Sequence, residues 1–388
     1  MRYLTALGRD ADWRAAVGSV LAQLAAGRAR PGTVTRPNLG VLYCTDPLRP
    51  LLGEIVRELR TRSGVEHWIG ASGVGVGVDS IEVFSDAALA VMLMQVPRRD
   101  FRVFSGAAPL RAWRRAGAAL VHADADESDL DELLAELAPR VGALSGGVVD
   151  GAQLADTALA GGISGIAFAP RVALAGGLAR GWAALGPLRT VTRCSGQLVQ
   201  TLDGRAALDV LLGDLGVAPL RAGGDVAELA PRLRRTLAVV GAAGELDSAL
   251  RPCSIAGLDL QRGAIALGLR PAVGMRLQLC RRDADAARRD LVRLATSVRD
   301  ELEQRRDARV AAGQLAAAGR RGARGAVYIA CASRGGAYFG GADAELALLR
   351  RHLGDVPLVA LFGAGEIHGG LAFGDSGVLT VFADDPAM

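Results

Sequence analysis

GVLYC, residues 40 to 44, opens a unit that the chain writes three times. Its strand-forming run is followed by Leu48, Leu51, Leu52, Ile55, Val56 and Leu59, which fall on one helical face. VEHWIG (65–70) then reads as a second strand and ends in Ala71-Ser72-Gly73. GAVYIAC (325–331) repeats the pattern, with a helix marked by Leu346, Leu349 and Leu353, the strand VPLVALF, and Gly363-Ala364-Gly365. AALVHAD (118–124) starts the remaining copy, whose helix carries Leu130, Leu133, Leu134 and Leu137 before VGAL leads into Ser145-Gly146-Gly147. Each copy is strand, polar turn, helix, strand, Gly-rich turn, and a recurring unit of this kind is a stronger signal than any single element.

The fold class expected is α/β, with mixed parallel and antiparallel sheets flanked by helices. If the two strands of each unit run parallel, their carboxyl ends share one edge, where open α/β sheets gather ligands. That edge carries Cys44, Asp46, His122, Asp124, Cys331 and Arg334 from the first strands, and Ser72, Ser145 and Glu366 after the second. An antiparallel pairing scatters them, and both arrangements stay open. Between the copies, alternating runs such as IEVF, ALAVMLMQV and MRLQLC read as antiparallel strands. Residues 282–319 read as an Arg/Ala-rich helix, 217–250 as a domain junction, and Cys253–Leu260 as the strand that restarts the second half.

The composition narrows the function class. All 45 basic residues are Arg, the formal net charge is +4, and aromatics are 4% of the chain, so no clustered basic and aromatic surface for nucleic acid stands out. The N-terminus lacks the apolar stretch of a secretory signal, and no apolar run approaches the ~18 residues of a membrane span. Five scattered cysteines without a CxxC pair fit reduced thiols. A cytoplasmic protein without nucleic-acid or membrane partners is expected. The four His show no metal-binding spacing, and no cofactor or metal is expected.

Several blocks then resemble, in order, the two halves of the FIST family. VTRCSGQLVQTLDGRAAL (191–208) is similar to the segment closing the N-terminal FIST domain. RPCSIAGLDLQRGAIALG, IACASRGGAYFG, VPLVALFGAGEIH and GVLTVF are similar to successive blocks of the C-terminal FIST domain. The resemblance spans about residues 35 to 383 and departs from the family at Phe373-Gly374-Asp375-Ser376 and in the turn 182–187. It implies two FIST-like halves, placed at 1–225 and 226–388. It also implies an intracellular sensory module for a small ligand, with amino acids suggested, free-standing and signalling through a separate partner. Relatives linked to an F-box supply the alternative, a module for binding a protein or peptide.

The residues themselves allow a sharper reading beside a plainer one. Arg334, between Ser333 and Gly335, presents a fork suited to a carboxylate, or else forms an ion pair with Glu366. Glu366 on its Gly-framed turn can accept an ammonium, so the two together suit an amino-acid zwitterion or small carboxylate. Cys331 is a small strand-end thiol, or a nucleophile with His368 as base, which makes an enzyme the third reading. Ser72 lies where glycines pack backbones closely or aim amides at a ligand, and His122 lines the edge or is a satisfied core histidine. The ligand-binding set expected is therefore Arg334, Glu366, Cys331, Ser333, Gly335, Ser72 and His122, with no catalytic residue.

Overall fold

A computed structural model describes residues 3–29, 34, 36–110, 116–218, 229–244, 250–311 and 323–383. Packing divides the chain into two compact units, one of residues 1–180 with 288–388, the other of residues 181–287. The first repeat of the larger unit runs β1 (Tyr3–Arg9), α1 (Trp13–Arg28), β2 (Leu39–Thr45), α2 (Leu52–Ser63), β3 (His67–Gly73), β4 (Gly75–Val78), β5 (Ile81–Phe84) and β6 (Ala88–Met94). The second runs β7 (Phe101–Phe104), β8 (Ala118–Asp124), α3 (Leu130–Leu137), β9 (Leu144–Val149), β10 (Gln153–Ala155), β11 (Thr157–Leu159) and β12 (Ile163–Phe168). The third begins with β13 (Leu174–Arg180) and is then interrupted by the smaller unit.

The smaller unit holds β14 (Trp182–Ala184), β15 (Arg189–Ser195), β16 (Leu198–Leu202), β17 (Arg205–Ala206), α4 (Ala207–Asp214), α5 (Ala230–Leu233), β18 (Thr236–Gly241), β19 (Arg251–Asp259), β20 (Ala264–Leu267) and β21 (Arg276–Arg282). The order β21-β15-β16-β20-β19-β18 closes on itself through pairing of β18 with β21, giving an antiparallel ring. Val199, Ile265, Leu277 and Leu279 fill it together with Val210 and Leu211 of α4. Arg189 clamps Asp214 at the end of α4 through two nitrogens at 2.6 and 2.8 Å. The third repeat resumes with α6 (Ala284–Ala311), β22 (Ala323–Cys331), α7 (Ala344–Leu353), β23 (Leu358–Gly363), β24 (Gly365–His368), β25 (Leu371–Phe373) and β26 (Ser376–Ala383).

In all three repeats the two central strands are parallel: β2 with β3, β8 with β9, β22 with β23. Each pair sits in its own six-stranded sheet, completed by antiparallel neighbours. The hairpin that follows each second strand leaves its own sheet for another. Hairpin β4–β5 extends the sheet of β23, β24–β25 extends that of β9, and β10–β11 extends that of β3. The exchange closes a cycle of three. It brings the second strands' ends against each other: a Cβ on Gly73 would lie 2.6 Å from Phe362 O, and one on Gly363 would lie 2.8 Å from Val148 O. Glycine is needed there for close backbone approach.

The inner faces of the three sheets share one core, with Tyr43 and Ile69 from one, Leu120 and Phe168 from the second, Ile329 and Leu361 from the third. Alternate residues such as Leu42 and Leu89 face outward under α1 and α2, as the two-residue strand period requires.

Three expectations need correction or qualification. Gly146 and Gly147 are inside β9 rather than in a turn, because a Cβ on Gly146 would meet Val121 O at 2.0 Å and one on Gly147 would meet Ile329 at 2.7 Å. The segment 217–250 is not a packing seam where it is described, since β18 is paired on both sides within the smaller unit. Residues 312–319 of the expected helix lie outside the described residues.

Candidate functional site

The chain leaves β22 through a single short turn at Ala332–Arg334, and this turn decides where the expected site residues go. Arg334 does not project to solvent; it is 1% exposed. Its Nε and Nη2 donate to Glu345 Oε1 at 3.0 and 2.9 Å, and Nη1 donates to Ala179 O at 3.1 Å. The Tyr328 hydroxyl donates to the same Glu345 oxygen at 2.6 Å, and the guanidinium lies 5.1 Å from the Phe339 ring centre. Burial opposes the charge on Arg334, but the Tyr328 oxygen and Glu345 outweigh it and hold the guanidinium above its ordinary range. The expected ion pair with Glu366 is thus replaced by one with Glu345, supplied by the first turn of α7.

Glu366 is fully buried on β24 and accepts from the Ser376 hydroxyl through Oε2, while Oε1 has no hydrogen-bond partner. Burial pushes its carboxyl well above the ordinary carboxylate range, against the Ser376 bond and Arg334. Cys331 is half-buried; Ser333 Oγ lies 3.0 Å from its sulfur and 2.7 Å from Asp375 Oδ1. Burial, then the Glu366 charge, push the thiol above its ordinary value, so it is a weak nucleophile at neutral pH. Gly335 packs directly on Phe84, where a Cβ would come within 2.3 Å of the ring. Cys331, Ser333, Arg334, Gly335 and Glu366 do come together, as a packed polar cluster.

The other two expected residues lie elsewhere. Ser72 is buried, and its hydroxyl accepts from Ala152 N at 3.2 Å, fastening the entry to β10. His122 sits inside the three-sheet core with Nε2 3.1 Å from the Tyr43 hydroxyl, and burial lowers its pKa to about 3. Cys44 faces the helices, and burial pushes its thiol up to about 12. Ser145 lies at the amino end of β9, away from the edge where the sequence pattern places it. Among the described residues no group of three or more His, Cys, Asp or Glu is placed to hold a metal.

A cavity of about 310 Å³ opens in the larger unit at that amino end. The starts of β8 and β9 meet β13, β26 and the end of β24 around it, with Leu144, Leu174 and Leu379 as apolar walls. Its polar groups are Ser145, Thr380 and His368. Ser145 Oγ and Thr380 Oγ1 lie 2.8 Å apart and join two sheets. His368 Nδ1 is buried without a hydrogen-bond partner, and burial lowers the ring's pKa. Sequence reasoning missed this cavity because its lining comes from strand ends remote along the chain.

The three-fold repeat of strand–helix–strand units, with mixed sheets flanked by helices, makes this an α/β protein. Family models match in tandem, the FIST N domain over residues 38–205 and the FIST C domain over residues 207–368. The chain belongs to the FIST family, whose domains are described as small-ligand sensory domains in signalling. No curated protein matches it. Among the described residues no helix is long and apolar enough to cross a membrane.

Proposed function

We propose that this protein is an intracellular small-ligand-binding sensory module that acts without turnover and passes its signal to a separate partner protein. The observation that carries the reading is the cavity of about 310 Å³, a size within the range of small-molecule sites. The absence of turnover is supported by Cys331, whose thiol is pushed up by burial and by Glu366 and whose partners are Ser333 and Ala364 O. An amino acid or small carboxylate was the ligand class suited to Arg334 and Glu366. With Arg334 held by Glu345, that pair no longer argues for it, and the ligand class has to come from the cavity.

The test is a thermal-shift screen of the whole chain against amino acids, small carboxylates and small neutral compounds. A ligand at 100 times its dissociation constant adds about 2.7 kcal/mol to the stability of the fold, which such a screen detects. Stabilisation by some member, without chemical change in that compound, is the expected result. A silent panel together with a stoichiometric complex with a protein partner would move the assignment to an interaction module. Conversion of a compound, lost in Cys331→Ala, would establish an enzyme.

A further inference from the structure

We infer that the cavity takes an uncharged, largely apolar small molecule carrying one hydrogen-bonding group, and that it excludes carboxylates and zwitterions. The inference rests on the ligand-binding reading above and names the ligand's chemistry. No Asp, Glu, Lys or Arg is among the described residues that line the cavity. Arg305 reaches the lining strand at Leu174 O, 2.8 Å away, but is paired with Glu301.

Backbone amides do not form a nest that could replace the missing charge. Gly142 N donates to Ala116 O at 2.9 Å, Ala143 N to Gly117 O at 3.1 Å, and Gly369 N to Leu144 O at 2.9 Å. In the edge strand β13 the amides of Ala175 and Gly177 face β26, while that of Gly176 faces away from the ladder and is one isolated donor. An anion entering this space loses its water and meets neither a cation nor a nest of amides, and burying a charge uncompensated is costly.

The remaining polar groups suit a neutral ligand. The Ser145 and Thr380 hydroxyls can each donate or accept, as their mutual contact shows. Burial lowers the pKa of His368, so the imidazole is neutral at physiological pH and offers one donor and one acceptor. A ligand hydroxyl or amide can therefore be matched, while its hydrocarbon body meets Leu144, Leu174 and Leu379.

The experiment titrates the intact chain at pH 7.5 with benzamide and cyclohexanol as neutral probes, and with benzoate and L-leucine as charged ones. The expected result is saturable binding of at least one neutral probe, at least tenfold tighter than either charged probe. Ala143 lines the cavity and is exposed, so Ala143→Trp should block that binding while leaving the circular dichroism spectrum unchanged. Ser145→Ala should weaken it about fivefold, the usual effect of one neutral hydrogen bond. Benzoate or L-leucine binding as tightly as the neutral probes overturns the inference, as does neutral-probe binding unaffected by both variants. In either case the sensory reading stands, because a ligand still binds. No response to either neutral probe also overturns the inference, and the broader panel then decides separately whether the sensory reading survives.

Discussion

Arg334 shows how one side chain can carry a residue from surface candidate to structural anchor. Its fork serves a buried carboxylate and a backbone carbonyl, with Glu345 only 1% exposed. Removing one partner of a buried pair strands the other, which typically costs about 3–5 kcal/mol. Arg334→Ala should therefore lower stability by that amount in urea denaturation. Arg334→Lys should lower it less, since a point charge keeps the pairing but not the fork. If Arg334→Lys left stability intact and abolished ligand binding, the residue would be a ligand contact after all. His122 predicts a pH effect. Its folded pKa of about 3 lies below the ordinary 6.5, so the unfolded chain binds the proton more tightly. That contribution is present above about 6.5 and is lost as pH falls toward 3, by about 1.4 kcal/mol per pH unit. His122→Gln keeps a neutral partner for Tyr43, and its midpoint in urea should fall less steeply between pH 6.5 and 4.

Helix α7 takes its N-terminal cap from another repeat. Asp343, in the left-handed region at φ 62°, receives Glu82 N at 2.6 Å, while Glu82 Oε1 accepts from Leu346 N at 2.9 Å. The two carboxylates thus act as a reciprocal capping box between β5 and α7. Removing the acceptor in Glu82→Ala should cost about 0.5–2 kcal/mol, as loss of a cap does. Burial raises the Glu82 carboxyl from 4.5 to about 7, against the Leu346 bond. The folded state then holds this proton more tightly than the unfolded chain does. Its stabilising contribution is complete below about 4.5 and disappears as pH rises through 7. Glu82→Gln retains the acceptor oxygen and should flatten stability over that window. An unchanged pH profile in chemical denaturation would remove Glu82 from the account.

The exchange of hairpins makes the three repeats of the larger unit mutually dependent. Sheet order is completed for each repeat by a hairpin from another, so one repeat cannot open without unpairing a strand of the next. In native-state hydrogen exchange, amides of β4, β10 and β24 should lose protection together, as one cooperative unit. Release of β10 at lower denaturant than β4 and β24 would show that the cycle is not closed energetically. Gly73→Val forces a side chain against Phe362 O, 2.6 Å from where its Cβ begins. Overpacking of this kind costs about 1–3 kcal/mol, and the loss should appear in exchange of the β23 amides as well as those of β3.

Hydrophobic period and turn residues lie within short windows, so the strand–helix–strand units could be read from GVLYC, AALVHAD and GAVYIAC. The parallel pairing that the ligand-edge argument needed is present in all three. Placing Cys331, Arg334 and Glu366 near one another was also possible, because each ends or follows a strand of the same repeat. That Arg334 turns inward was decided by Glu345 on α7, eleven residues further along and on a different element. Hairpin exchange and the cavity at Ser145, Thr380 and His368 depend on pairings remote along the chain, such as Ser145 with Thr380, 235 residues apart. Local periodicity specifies which face of an element is apolar, but not which remote element covers it. Only tertiary packing chooses among the apolar faces available, and here it also decides which polar groups remain unpaired.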